Sequence, residues 1–192
     1  RLLTGIKTQL PLTESCEITL EANPGTFEQE RFAGFIDAGV NRLSIGVQSL
    51  NAQQLQRLGR IHDPAQALTA ARYAKQLPLR SFNLDLMHGL PEQTIAQAMA
   101  DLDAIIALDP PHISWYQLTI EPNTSFASRP PRLPEDDVLA EINDRGHARL
   151  CAAGYENYEV SAYAKPGHQS HHNRNYWQFG DYLGIGCGAH SK

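Results

Sequence analysis

Residues 17–23, 42–49, 81–87 and 113–120 alternate large apolar side chains with small or polar ones. Ile18 and Leu20 oppose Thr19 and Glu21, and Leu43, Ile45 and Val47 oppose Ser44, Gly46 and Gln48. Phe82, Leu84 and Leu86 oppose Ser81, Asn83 and Asp85; Tyr116, Leu118 and Ile120 oppose Trp115, Gln117 and Thr119. A period of two places successive side chains on opposite faces of a strand. A helix-shaped segment follows each stretch, which predicts parallel strands. Parallel strands bury both faces and read as continuous apolar runs. Here one face carries Glu21, Gln48, Asp85 and Gln117 near the strand ends. Burying such groups is costly unless they meet partners. A polar ligand against that face is the economical explanation.

The segments between the strands carry helix punctuation. Residues 2–10 end at Pro11. Thr26-x-x-Gln29 is a capping-box pattern and opens a helix closed by Gly39. Asn51 caps a short helix over 52–58 that stops at Gly59. Asp63-Pro64 places a cap before a first-turn proline and opens a helix to about residue 76. Over 94–108, Ile95, Ala98, Met99, Leu102, Ile105 and Ile106 form one apolar stripe. Residues 121–134 are a proline-rich loop, 135–151 a helix and 155–163 a strand. The last thirty or so residues are loops with a short strand at 183–187.

Strands and helices in strict alternation define an α/β protein. A doubly wound sheet grips phosphate in a Gly-rich loop after a strand, and the sequence has neither a G-x-G-x-x-G nor a Walker pattern. Polar groups spread over several strand ends suit a barrel mouth. The expected architecture is a partial (β/α) barrel of about four βα units over residues 1–134. A C-terminal helix, strand and loop-rich extension follows over 135–192.

Composition narrows the function. The 192 residues are 42% hydrophobic and 19% charged, as in a globular domain. A net charge of −5 excludes a broad nucleic-acid surface. No run approaches the roughly 18 apolar residues that span a bilayer. Cys16, Cys151 and Cys187 are odd in number and far apart, which predicts free thiols in a cytoplasmic setting.

Four side chains are candidates for chemistry. Glu21 sits where a strand breaks into a loop, as a ligand or a surface carboxylate. Gln48 shares a face with Gly46, and a strand glycine often admits a close approach. Asp85 lies between Leu84 and Leu86, so it is either structurally paired or used. Arg60 is either a solvated arginine or a carboxylate clamp. Together they suit a ligand with a carboxylate, an ammonium and a ribose diol. S-adenosylmethionine has all three, although spacing alone does not single it out.

Ile18-Thr19-Leu20-Glu21-Ala22-Asn23-Pro24, Arg42-Leu43-Ser44-Ile45-Gly46-Val47-Gln48-Ser49, Leu58-Gly59-Arg60-Ile61-His62 and Asn83-Leu84-Asp85-Leu86-Met87-His88-Gly89-Leu90-Pro91 occur in this order. Jointly they resemble the radical SAM family of oxygen-independent coproporphyrinogen III oxidases and their relatives. The tail, with His172-Asn173-Arg174-Asn175-Tyr176-Trp177 and Asp181-Tyr182-Leu183-Gly184-Ile185-Gly186-Cys187-Gly188, resembles the haem-chaperone branch. The resemblance implies that Arg60 holds the methionyl carboxylate and Asp85 the ribose, with Glu21 and Gln48 lining the same pocket. It implies haem at His172, the first residue of an HNxxY motif, and imidazole is a normal axial iron ligand. A bland loop histidine, beside His168, His171 and His190, is the alternative.

The family's [4Fe–4S] cluster sits on a Cys-x-x-x-Cys-x-x-Cys loop, which this sequence does not contain. The resemblance therefore implies a fragment, with the cluster in the full-length parent only. A chain that opens inside a helix without Met agrees with that expectation. Alone it is expected to be inactive and, with an unpaired strand edge, poorly behaved. Two functions follow: haem binding with delivery to haem-accepting proteins, or radical decarboxylation of coproporphyrinogen III propionates. The first expects haem and its acceptors as partners, no nucleic acid, and membrane association only peripherally through an acceptor. Oligomeric state is left open.

Overall fold

The computed structural model describes residues 1–26 and 29–192. Helix α1 (Leu2–Gln9) leads to strand β1 (Thr19–Ala22), then α2 (Gln29–Ala38) and β2 (Arg42–Gln48). Helices α3 (Ala52–Arg57) and α4 (Pro64–Ala74) precede β3 (Ser81–His88). Helix α5 (Ile95–Ala107) precedes β4 (His112–Gln117), followed by a one-turn α6 (Ser125–Ser128) and α7 (Asp136–Ala152). The chain ends with β5 (Glu156–Asn157), β6 (Ala162–Ala164) and α8 (His171–Trp177).

The predicted punctuation forms. Asn51 Oδ1 accepts from the N–H groups of Gln53 and Gln54. Asp63 and Gln66 complete one capping box, Thr94 and Gln97 another. Each satisfies amides that the first helical turn leaves without partners. The box read from Thr26 and Gln29 depends on side chains outside those the structure describes. On α5, Ala98, Met99, Leu102 and Ile105 are buried, with Ile95 and Ile106 partly so.

One sheet runs β1-β2-β3-β4-β6-β5, with β1 to β4 parallel and β6 antiparallel to both β4 and β5. It is an open α/β sheet with parallel strands dominant. Leu43, Ile45, Val47, Leu84, Leu86 and Ile113 are fully buried with Ala70, Leu102 and Ile105 of the helices. The opposite face carries Arg42, Ser44, Asn83, Asp85, His112 and Ser114, which line a cavity.

Several expectations need correction. The face assigned on β4 is inverted: Trp115 is 2% exposed in the core, and Tyr116 joins Gln48 and Asp85 at a cavity. Gln117, assigned to the polar face, is exposed at the strand's end. The strand starts one residue earlier than expected and ends at Gln117, so Leu118 packs in a separate cluster with Met87 and Leu90. The indole fits because α7 presents Gly146, where a Cβ would lie 2.6 Å from Trp115 Nε1. The expected strand 155–163 is a hairpin of β5 and β6. Its turn is set by Asn157, which donates to the Glu159 carbonyl, and by the Ser161 N–H on the Glu159 carboxylate.

No strand forms at 183–187. Gly186 and Gly188 take positive φ, which breaks an extended ladder. Part of the expected terminal loop is instead α8, capped by Ser170, whose hydroxyl accepts from the Asn173 N–H. Ser-x-x-Asn is a readable cap, but the short polar run behind it has no apolar period to extend it.

Candidate functional site

Parallel strands place their carboxyl ends on one side, and the loops that leave them converge there. At β1 this brings Glu21, at β2 Gln48, at β3 Asp85 and at β4 Tyr116 around a cavity of about 430 Å³ that Arg60 also lines. All four side chains expected to face one ligand therefore share one cavity. Tyr116 was missed because β4 was phased by its leucine and isoleucine. The informative signal was Trp115, a large residue whose burial fixes the phase.

Local backbone geometry aims each group. Gln48 sits at φ +68° where the β2–β3 register shifts, a bulge that turns its side chain off the regular pleat. Its Oε1 accepts from the Tyr116 hydroxyl at 2.6 Å. Gly46 leaves room for this: a Cβ there would lie 2.8 Å from Gln48 Nε2. Arg60 follows Gly59 at φ +68° and precedes His62. His62 is buried, and its Nε2 lies 3.0 Å from the Val47 carbonyl. That contact fastens the arginine loop to the end of β2. Arg60 Nη1 donates to Asn23 Oδ1 at 3.4 Å.

Asp85 is half-buried and paired. Ser44 donates to its Oδ2 at 3.2 Å and Asn83 Nδ2 to its Oδ1 at 2.7 Å. Two carboxylates, Glu21 and Asp85, thus face the guanidinium of Arg60 across one cavity. Burial pushes the Tyr116 hydroxyl up to about 12, with the Asp85 charge adding to it. It is therefore a neutral donor at ordinary pH.

A second cavity of about 780 Å³ shares Glu21, Ser44 and Asp85 with the first and runs along the polar sheet face to α8. His172, Asn173 and Asn175 line its rim, and Arg42 and His112 its floor. His172 is exposed and meets Tyr176 edge-on at 4.9 Å, one helical turn away. Tyr176, Trp177, Phe179, Leu183 and Ile185 lie exposed nearby in sequence. Arg42 and His112 were also missed, since both sit at strand starts where a polar residue carries no pattern. Burial holds His112 neutral, down to about 3, with the Arg42 charge as the next cause.

The fold and the cavities define a protein with a parallel-dominated sheet whose strand ends open onto polar cavities. The chain belongs to the radical SAM superfamily, whose model matches residues 2–105. Among individual relatives, the heme chaperone HemW of Escherichia coli (strain K12) is 63% identical over the whole chain, which covers 50% of that protein. The mitochondrial radical S-adenosyl methionine domain-containing protein 1 of Mus musculus is 41% identical over the whole chain, 44% of its own length. The chain spans about half the length of the curated relatives it matches. The coproporphyrinogen III oxidase HemN of Escherichia coli shares the fold. Its TM-score is 0.84 at 24% identity, over 99% of this chain and 47% of HemN.

The superfamily implies S-adenosylmethionine and a [4Fe–4S] cluster. The strand-end cavity fits the first: a guanidinium, Arg60, and two carboxylates, Glu21 and Asp85, line it together. The chain's residues do not fit the second. Cys16, Cys151 and Cys187 are free thiols, and no group of three or more His, Cys, Asp or Glu among the described residues could hold a metal ion. No helix among them is long and apolar enough to cross a membrane.

Proposed function

We propose that this protein is a haem chaperone that binds S-adenosylmethionine at the strand-end cavity and haem at His172. It then hands haem to acceptor proteins. The observation that carries this reading is the convergence of Glu21, Gln48, Arg60 and Asp85 on one cavity. There Arg60 would take the methionyl carboxylate and Asp85 the ribose diol, with Glu21 and Gln48 toward the ammonium. Bound S-adenosylmethionine supplies, in this superfamily, a carbon–sulfur bond to be cleaved by an electron from a cluster. The residues in hand bind and orient it.

Three features support haem at His172. Its imidazole is exposed and sits one turn from Tyr176. Exposed Trp177, Phe179, Leu183 and Ile185 follow, apolar groups of the kind a porphyrin face covers. The relative with 63% identity is named a heme chaperone. A membrane contact would come through the acceptor, and the setting would be cytoplasmic.

The test uses the full-length protein. Haem is titrated by absorbance and S-adenosylmethionine by calorimetry, in the parent, His172→Ala and Asp85→Asn. His172→Ala should weaken haem at least about tenfold and leave S-adenosylmethionine unchanged; Asp85→Asn should weaken S-adenosylmethionine by a similar factor. Haem binding indifferent to His172→Ala sinks the assignment. Anaerobic conversion of coproporphyrinogen propionates to vinyl groups would favour an oxidase instead.

A further inference from the structure

Helix α8 is joined to the strand-end cavity by a run of side-chain hydrogen bonds. The Ser170 N–H, at the cap of α8, donates to the Tyr158 hydroxyl oxygen at 3.1 Å. Tyr158 lies 2.7 Å from His112 Nε2, and His112 Nδ1 lies 2.6 Å from Asn83 Oδ1. Asn83 Nδ2 then donates to Asp85 Oδ1 at 2.7 Å.

Every proton position in this run is determined. A carboxylate only accepts, so the amide nitrogen of Asn83 faces Asp85 and its oxygen faces His112. That oxygen only accepts, so His112 Nδ1 carries the hydrogen. The imidazole is 1% exposed and neutral, so its Nε2 accepts and the Tyr158 O–H donates. All donors therefore point one way, from α8 toward the Asp85 charge. Such aligned bonds polarise one another, and an anion at the end strengthens each.

We propose that His112 and Tyr158 are positioning residues that couple the ligand on Asp85 to the ligand on His172 through this run. The coupling rests on the functional reading above. A diol donating to Asp85 draws on the charge that holds Asn83. The bonds behind it slacken, and α8, anchored by Ser170, is held less firmly. S-adenosylmethionine then lowers the affinity of His172 for haem, and haem lowers the affinity for S-adenosylmethionine by the same factor.

The experiment titrates haem by its absorbance into the full-length protein, without reductant, at zero and saturating S-adenosylmethionine. The expected result is a rise of about fivefold or more in the haem dissociation constant, and the same factor in the reverse titration. Tyr158→Phe keeps the ring, removes the shared hydroxyl and should bring the factor to about one. Should that variant fail to fold, Ser170→Pro suits φ −64° and removes the donating N–H, with the same expectation. A factor near one in the unaltered protein overturns the coupling while the binding sites stand. A factor that survives Tyr158→Phe or Ser170→Pro overturns the route. Haem binding that survives His172→Ala overturns the functional reading, and the coupling with it.

Discussion

Strands β2 to β4 and the segment after α8 are both rich in large apolar side chains, and they use them in opposite ways. Leu43, Ile45, Leu84, Leu86 and Ile113 are each 0% exposed. Phe179, Leu183 and Ile185 are 81%, 83% and 89% exposed. In the strands an apolar residue recurs at every second position, so a ladder presents one continuous face for α4 and α5 to cover. In the tail, Gly184, Gly186 and Gly188 interrupt every apolar residue, and two of these glycines have positive φ. No ladder forms and no face is assembled. Backbone bonds between Tyr182 and Lys192 close the segment on itself. Leu183 and Ile185 keep the same period of two, so apolar spacing alone does not make core; an extended backbone that pairs with neighbours does. The apolar groups left outside are the ones free to meet a ligand.

Leu84→Ala and Ile185→Ala test that contrast most strongly. Leu84 sits in the central strand with no exposure, so truncation leaves a cavity and should cost about 3 kcal/mol. Ile185→Ala removes the same kind of group from solvent and should cost less than about 0.5 kcal/mol. Urea denaturation of the two variants measures both. Equal costs would mean that the tail is packed after all.

Acid should separate the regions next. Burial lowers His88 to about 4 and His112 to about 3, whereas an unfolded histidine titrates near 6.5. Both are neutral in either state above that value, so no linkage penalty exists there. Below it the unfolded chain takes up protons that the folded chain refuses. Stability then falls as pH drops from about 6.5 toward 3, by an amount on the order of a few kcal/mol. The melting temperature followed from pH 7 to 4 should decline, and His112→Asn should flatten the decline. A flat profile in the unaltered protein would show that the strand block admits the charge.

Gly146→Ala should have a smaller effect. Alanine favours a helix over glycine by about 1 kcal/mol. Here its Cβ would lie 2.6 Å from Trp115 Nε1 and 2.8 Å from Cε2, against a buried ring that cannot step aside. The clash should outweigh the propensity, for a net loss of about 1–2 kcal/mol in thermal or denaturant unfolding. A gain would mean that the indole has another place to lie.

The same contrast explains what was legible in the sequence. The helix caps at Asn51, Asp63 and Thr94 are local signals, and each forms. The alternation of β2 and β3 was readable because both faces repeat. In β4 it was not, because His112, Ser114 and Tyr116 share the cavity side while Trp115 carries the apolar face. A tyrosine and a tryptophan side by side satisfy either phase, and only the glycine on α7, thirty-one residues away, decides between them. Gln48 and Asp85 could be named because each interrupts an apolar strand, Glu21 because it sits at a strand end and Arg60 because it precedes a helix start. Arg42 and Tyr158 interrupt none. The hairpin of β5 and β6 depended on the Glu159 turn, which has no glycine or proline to announce it.

Tyr116→Phe should have a small effect on stability and the most specific one on the site. The hydroxyl donates to Gln48 Oε1 at 2.6 Å, and Gln48 has an exposure of only 5%. Removing the donor leaves that oxygen facing a cavity that water can enter, so the cost should stay near 1 kcal/mol rather than the full penalty of a sealed, unpaired group. The side-chain amide of Gln48 would then be free to rotate, since Gly46 offers it no wall. Calorimetry should show S-adenosylmethionine weakened by about five- to tenfold, an effect of about 1 kcal/mol. Haem absorbance titrations at His172 should be unchanged, because Tyr116 takes no part in the run from Asp85 to Ser170. Loss of both affinities together would mean that the two cavities behave as one, and that the division between a packed strand block and an open tail does not extend to their ligands.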